Sequence, residues 1–398
     1  VPRNSQTKKQ FGGRNVLLAL NWYDLRIHQG VLRFSSKAGW HLNADMSHSQ
    51  SLLPKNWHGD GIITMMPLPH AENQKNYLKL IRQSGAKCVA INPHPDRRNL
   101  PHVRYDNPAI GRLAADHFLE RGFRHFICYG SNFDNWYSAE RREAFAARLA
   151  ESGYGCTTFR RRSLEEIDWP EQLAECVQML RQHPKPLAVW ALSDSEASQV
   201  LEACREAKLS VPEEVAVLGA ENDLMIAPFT TPPLSSVESN LEELGYQAAA
   251  LLELLMEGKS SPKTASVIPP IGAVARGSTD TLAAVHPGVK RFVEFIRAHY
   301  SEDLDHEDFC CASGMSSTAL FNACKKNLGR NPGDMLRWQR LKAAEKRMVE
   351  TDEKLSVIAL ECGFKNGVNF WNAFQRTHGK SPEEWRDVNR SDKKGAKD

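Results

Sequence analysis

Polar and aromatic residues stand directly behind short apolar runs at several points of the sequence, and their types suit a small polar ring. Asn21, Trp22, Tyr23 and Asp24 follow Val16–Leu20, and Asp106 follows the segment that begins at Val103. Trp136, Tyr137 and Arg141 follow Phe126–Gly130, Asp194 follows Ala188–Ala191, and Glu221 and Asn222 follow Val215–Leu218. Carboxylates, amides and a guanidinium supply acceptors and donors for hydroxyl groups. An aromatic face covers the apolar side of a ring that carries such groups. Bland alternatives stay open for each. Asp106 and Asp194 fit helix N-caps equally well. Trp22 and Trp136 fit core positions, and Arg141 fits a surface pair with Glu140 or Glu143.

Reactive constellations are missing. The sequence has no GxGxxG, P-loop, HExxH or GxSxG motif. Its histidines and cysteines show no zinc-type spacing, so no metal and no cofactor is expected, and the chain does not read as an enzyme. Cys310 and Cys311 fall on one helix and read as packing residues. Nine cysteines, an odd number with no CxxC pair, fit a reducing compartment. The start is polar and basic, and its apolar run at Val16–Leu20 is shorter than the roughly 7–15 residues of a signal-peptide core. No stretch reaches the ~18 apolar residues that read as a membrane span. A cytoplasmic protein without a membrane partner is expected.

The elements that must position these residues follow a repeating pattern. The strand candidates are Val16–Leu20, Gly61–Met65, Cys88–Ile91, Phe126–Gly130, Ala188–Ala191 and Val215–Leu218. Amphipathic stretches at Asn107–Arg121, Ala139–Glu151, Glu171–Gln182, Ser195–Ala207 and Leu241–Met256 lie between or after them. Alternation of this kind predicts parallel sheets with helices on both faces, and such sheets bind ligands at the carboxyl ends of their strands. Length agrees: 398 residues allow two to four domains of ~100–200 residues each.

After a Pro/Gly-rich stretch the strand signals stop, apart from a last strand at Ser266–Ile268. The remainder predicts consecutive helices with one duplicated unit. In Leu304–Gly329, Gly314 separates two helices, Ser316 fits an N-cap, and Leu320, Cys324 and Leu328 form a stripe. In Leu355–Gly379, Gly363–Phe364 makes the turn, and Asn366 opens a helix carrying Phe370 and Phe374. Pro332–Thr351 joins them as one long helix. Two helix-turn-helix units so joined would present two recognition helices to successive major-groove faces of double-stranded DNA. Net charge is only +3, so any phosphate-binding patch is local. Lys325, Lys326, Arg330, Arg337, Arg340, Lys342, Lys346 and Arg347 stand against only Asp334 and Glu345 in the same stretch.

Two family resemblances attach to these patterns. The ordered set Ile358-Ala359, Cys362-Gly363-Phe364, Phe370, Phe374, Gly379, Ser381-Pro382 and Trp385-Arg386 resembles the end of an AraC-type DNA-binding domain. By that resemblance the DNA readers are Ser317, Thr318, Ala319, Phe321, Asn322 and Lys325 in the first unit. In the second they are Asn366, Gly367, Asn369, Asn372 and Arg376. Asn pairs bidentately with adenine and Arg with guanine. The chain departs from the family habit at Ala323, Cys324 and Asn372, so base preferences do not carry over.

The first two thirds resemble the periplasmic-binding-protein-like sensor of LacI-type repressors. The pieces are Val103–Asn107, Ile110-Gly111, Ala114-Ala115, Arg121-Gly122, Tyr129-Gly130, Arg141–Phe145, Ser193-Asp194, Val211–Glu214, Gly219–Asn222, Pro233–Val237 and Leu244-Gly245. Those repressors carry their DNA-binding headpiece before the sensor. Here about fourteen residues precede the first strand, and the DNA reader comes last. That order resembles the bacterial xylose-operon activators. The resemblance implies ligand contacts at Asp106, Arg141, Asp194 and Glu221, a sugar effector, a homodimer and a contact with RNA polymerase. Glu221 stands where a shorter Asp is usual, which opens the effector to another pentose, a hexose or a uronate. The expected fold is thus an α/β two-lobed sensor followed by an all-α domain. The expected boundaries are a tail at 1–13, the sensor at 14–278, a linker at 279–288, the DNA-binding domain at 289–389 and a tail at 390–398.

Overall fold

A computed structural model describes residues 13–45, 54, 56–66, 74–97, 100–131, 135–162, 165–262, 264–281, 283, 286–328 and 330–390. The two expected tails lie outside the described residues, apart from Gly13 and Arg390. The chain falls into two compact units. One comprises Val1–His117 and Arg124–Asp280; the other comprises Phe118–Phe123 and Thr281–Asp398.

In chain order the first unit contains β1 (Asn15–Leu20), α1 (Leu25–Ala38), β2 (His41–Asn43), β3 (Gly61–Met65), α2 (Gln74–Ser84), β4 (Lys87–Ile91), β5 (His102–Tyr105) and α3 (Asn107–Leu119). It continues with β6 (His125–Gly130), α4 (Trp136–Glu151), β7 (Thr157–Arg160), α5 (Trp169–Gln182), β8 (Leu187–Ala191), α6 (Asp194–Ala207), β9 (Val215–Ala220) and β10 (Ser235–Glu238). Then come α7 (Leu241–Met256), β11 (Ser266–Ile268) and β12 (Gly272–Val274). The strands form two six-stranded sheets, ordered β11-β5-β4-β3-β1-β2 and β12-β10-β9-β8-β6-β7. Each sheet is the floor of one lobe. The chain passes between the lobes after β5, after β10 and after β11.

The apolar runs explain the central strands. Val16–Leu20, Leu187–Ala191 and Val215–Ala220 are buried throughout, as strands covered on both faces must be. Pairing is parallel except at one edge, where β12 runs antiparallel to β10 with Val237 opposite Ala273. The sequence pattern left out β2, β5, β7, β10 and β12, and also α1 and α2. These strands are short, and several are polar or exposed; β7 reads TTFR and faces solvent. Ser235 and Ser236 of β10 are polar yet fully buried, because their hydroxyls donate to the Arg276 carbonyl and to Asp194 inside the lobe.

The boundary after the sensor shifts from the expected one. Ser278 and Thr279 are buried: Ser278 Oγ donates to the Val217 carbonyl at 2.6 Å, and the Thr279 and Ser235 hydroxyls lie 2.7 Å apart. Thr279 therefore belongs to the sensor and not to a linker. Past Thr281 the first helix of the second unit starts at Pro287, with His286 as its N-cap.

That unit contains α8 (Pro287–His299), α9 (His306–Ser313), α10 (Ser317–Leu328), α11 (Pro332–Glu350), α12 (Leu355–Glu361), α13 (Gly367–His378) and α14 (Pro382–Arg390). It holds two cores. Val289, Phe292, Ile296, Phe309, Leu320 and Cys324 pack with Met335 and Leu336 of α11. Ile358, Cys362, Phe364, Phe370 and Phe374 pack with Leu341, Ala344 and Met348, farther along the same helix. The long helix thus seeds both helix-turn-helix units. Gly363 makes the second turn at φ 83°, and a Cβ there would lie 2.5 Å from the Tyr300 carbonyl.

Candidate ligand cavity and nucleic-acid interface

The carboxyl ends of both sheets open on one cavity of about 360 Å³. β1 delivers Asn21 and Trp22, β3 Met65 and Met66, β4 Asn92, and β5 Tyr105. From the other lobe come Ser131 behind β6, Leu192 and Ser193 behind β8, and Glu221 behind β9. The helices add Trp136, Tyr137, Ser138 and Arg141 from α4 and Glu196 from α6. The placement follows the rule that such sheets bind ligands where their parallel strands end.

Arg141 is the buried cation of the site, 2% exposed. Its Nε donates to Asn107 Oδ1 at 3.0 Å, and its Nη1 donates to the Leu192 carbonyl at 3.1 Å and to Glu221 Oε1 at 3.3 Å. The surface pairing with Glu140 or Glu143 is therefore not what Arg141 does. Burial raises the Glu221 carboxyl above its ordinary value, and Arg141 pulls against that shift. Glu221 and Asn222 both sit at positive φ, 91° and 51°. Arg26 on α1 holds this bend: its Nη1 donates to the Glu221 carbonyl at 2.6 Å and to the Asn222 carbonyl at 2.9 Å. Trp136 stands edge-on to His94 and Tyr137, with ring centres 5.3 and 5.1 Å away.

Of the expected ligand residues, Asn21, Trp22, Trp136, Tyr137, Arg141 and Glu221 line the cavity. The others serve the frame. Tyr23 turns away and its hydroxyl meets His28 Nδ1 at 2.8 Å. Asp24 caps α1 and pairs with Arg26 at 2.9 Å. Asp106 accepts from the Ala109 N–H at 3.0 Å, which is the N-cap reading. Asn222 binds Glu238 and Arg276. Asp194 is buried and takes the Ser236 hydroxyl at 2.6 Å and the Asp223 N–H at 2.5 Å. Burial pushes its carboxyl up to about 7 against the pull of those two bonds. Asp194 thus braces the segment that carries Glu221.

Gly219 is what lets Asp194 approach. A Cβ there would stand 2.0 Å from Asp194 Oδ1. Gly219→Ala is expected to lower sensor stability by about 2 kcal/mol through overpacking and to weaken effector binding. Urea unfolding and effector titration of the variant check both.

Sequence reasoning missed Met65, Met66, Asn92, Tyr105, Ser131, Ser138, Leu192, Ser193 and Glu196. Several stand one or two residues past a strand, which was the available signal. Glu196 lies in the first turn of α6, and its Oε1 takes both the N–H and the hydroxyl of Ser131 at 2.7 Å.

On the helical unit every expected DNA reader is solvent-facing. Ser317, Thr318, Ala319, Phe321, Asn322 and Lys325 are exposed on α10; Gly367, Asn369, Asn372 and Arg376 are exposed on α13. Asn366 is also exposed, but its Oδ1 caps α13 by accepting from the Asn369 N–H at 2.8 Å. Val368 and Trp371, which the sequence did not single out, are exposed on the same helix. A groove of about 500 Å³ between α11 and α13 carries Arg337, Arg340, Lys365 and Arg376 on its walls. The basic cluster is thinner than its sequence suggests. Arg340 donates to the Tyr300 and Glu302 carbonyls at 2.7 Å, and Arg347 pairs with Glu353 and Glu361. Both are structural.

A periplasmic binding protein-like domain model matches residues 115–279, and a helix-turn-helix domain model matches residues 309–387. The chain is similar to the xylose operon regulatory protein of Escherichia coli K12, 25% identical over 92% of this chain and 94% of that one. The protein of that description from Haemophilus influenzae is 28% identical over 82% and 84%. A solved structure described as a xylose-binding transcription activator superposes with a TM-score of 0.59 at 24% identity, covering 96% of this chain and all of that one. The chain is a two-domain transcriptional regulator.

The regulator joins a periplasmic binding protein-like domain to a helix-turn-helix domain. Among the described residues, no helix of the regulator is long and apolar enough to cross a membrane.

Proposed function

We propose that the regulator is switched by a sugar of the xylose class and activates transcription of genes for that sugar's breakdown. The observation that carries this reading is the composition of the cavity: Asn21 and Asn92 amides, Glu221 and Glu196 carboxylates, Arg141, and the Trp22, Trp136 and Tyr137 rings. Amides and charged groups match hydroxyl edges, and indole and phenol rings match the apolar face of a pyranose. The names of the relatives from Escherichia coli and Haemophilus influenzae support a pentose.

The sugar acts by population shift. It touches both lobes, so it favours the arrangement in which Glu221 and Arg141 face Asn21 and Trp22 across the cleft. Only an effector that binds the active arrangement more tightly moves the equilibrium. The regulator then acts in the cytoplasm on double-stranded DNA, with RNA polymerase as a further partner. Thermal melting against D-xylose, L-arabinose, D-glucose, D-galactose, D-glucuronate and D-galacturonate tests the sugar. A ligand that binds only the folded state raises the midpoint by mass action. A rise with D-xylose supports this reading; silence across the panel overturns it.

The regulator works as a homodimer in this reading. Leu224, Met225 and Phe229, in the segment behind β9, are 55, 82 and 77% exposed, an apolar patch that a second copy would cover. The double substitution Met225→Glu and Phe229→Glu is expected to convert dimer to monomer in sedimentation velocity. Sedimentation unchanged from the parent would place the dimer contact elsewhere.

A further inference from the structure

Two of the cavity's polar groups have unused hydrogen-bonding capacity, and they differ in kind. Tyr105 ends β5 and is 4% exposed, yet its hydroxyl has no hydrogen-bond partner among the described residues. The neighbouring phenol, Tyr137, differs in that its oxygen accepts from the Asn135 amide at 3.1 Å. Glu196 is occupied at both oxygens, Oε1 by Ser131 and Oε2 by the Ser193 hydroxyl at 3.1 Å. Glu221 bonds Arg141 through Oε1, which leaves Oε2 as an open acceptor. The Arg141 guanidinium lies 5.9 Å from the centre of the Tyr105 ring, so phenol, carboxylate and cation share one wall.

A buried hydroxyl without a partner is costly in the empty state, and a ligand oxygen that meets it removes that cost. Burial, with Glu221 nearby, also pushes the Tyr105 phenol well above its ordinary value, so at neutral pH it is a proton donor. The charge on the described wall is one guanidinium against two carboxylates, Glu196 and Glu221, and the guanidinium already pairs with Glu221. An anionic ring would meet a carboxylate with no spare cation.

We propose that Tyr105 is the specificity-determining donor of the cavity, acting with the Glu221 carboxylate to read one hydroxyl of an uncharged sugar and to reject sugar acids. The ligand hydroxyl accepts from Tyr105 and donates to Glu221. The proposal rests on the sugar reading given above, which named no contact for Tyr105 and kept sugar acids in its panel.

The test is calorimetric titration of the full-length protein and its Tyr105→Phe variant with D-xylose, D-glucose, D-galactose, D-glucuronate and D-galacturonate. Tyr105→Phe removes an oxygen with no hydrogen-bond partner among the described residues, so the ligand-free melting midpoint is expected to hold or rise. Binding of the neutral sugar that the parent takes is expected to weaken about 10-fold, the loss of one hydrogen bond. Each hexose is expected to bind better than its uronate. Undiminished binding by Tyr105→Phe, or a uronate bound more tightly than its parent hexose, would overturn the proposal while leaving the sugar sensor intact. Silence of the parent protein with every sugar would remove the sugar reading and this proposal together.

Discussion

Arg141→Met is expected to lower sensor stability by about 3–5 kcal/mol, the range for removing one partner of a buried charge pair, and to abolish the effector response. Methionine keeps most of the stem and removes the guanidinium. What is left behind is the reason for the size of the effect. Asn107 Oδ1 and the Leu192 carbonyl lose their donor, and Glu221 keeps a partly buried carboxylate without its cation. Arg141 comes from α4, Asn107 opens α3, and Leu192 and Glu221 follow strands of the second lobe. One side chain therefore ties four segments to the cavity wall. Urea unfolding of the full-length protein gives the loss as a shift in midpoint at constant slope. Adding Glu221→Gln should recover part of it by removing the orphaned charge. A double variant no more stable than Arg141→Met would show that the Arg141–Glu221 pair is not the source.

Phe374→Ala is expected to remove about 3–5 kcal/mol from the second helix-turn-helix core, the usual range for emptying a buried phenylalanine site. Phe374 is wholly buried, with ring centres 5.5 Å from Phe370, 5.6 Å from Trp385 and 4.3 Å from His378. The core it serves is small, so a loss of this size consumes most of what holds α13 in place. DNA binding by the full-length protein should collapse in a gel shift on a fragment that the parent selects. The melting shift produced by the effector should persist, because the sensor has a core of its own around Ile127, Val189 and Val217. Retained DNA affinity in this variant would mean that α13 is not a required reader.

The two variants probe parts of the molecule that were unequally visible in the sequence. Phe374 stood in an ordered motif whose spacing is that of a helix face, and it is found in the core as that spacing requires. Arg141 was visible as a candidate, but its partners were not. Glu221 lies 80 residues away along the chain, and a surface pair with Glu140 or Glu143 was equally consistent with the letters alone. Asp106 and Asp194 illustrate the opposite outcome. Both follow strands and both looked like ligand carboxylates, but backbone N–H groups of Ala109 and Asp223 engage them.

The sequence by itself determined the alternation of buried strands and amphipathic helices and the duplicated helix-turn-helix unit. Those properties depend on side-chain periods of two and 3.6 residues, which act within one element. Only the tertiary structure decided which residues meet in the cavity. Strand order places β1 beside β3 and β9 beside β8, so residues remote in sequence become neighbours at the carboxyl ends. It also settled which cations are spare. Arg340 and Arg347 looked free in sequence and are consumed by Tyr300, Glu302, Glu353 and Glu361. A buried polar group takes whatever partner the fold brings within reach, and that partner is set by packing rather than by the local chain.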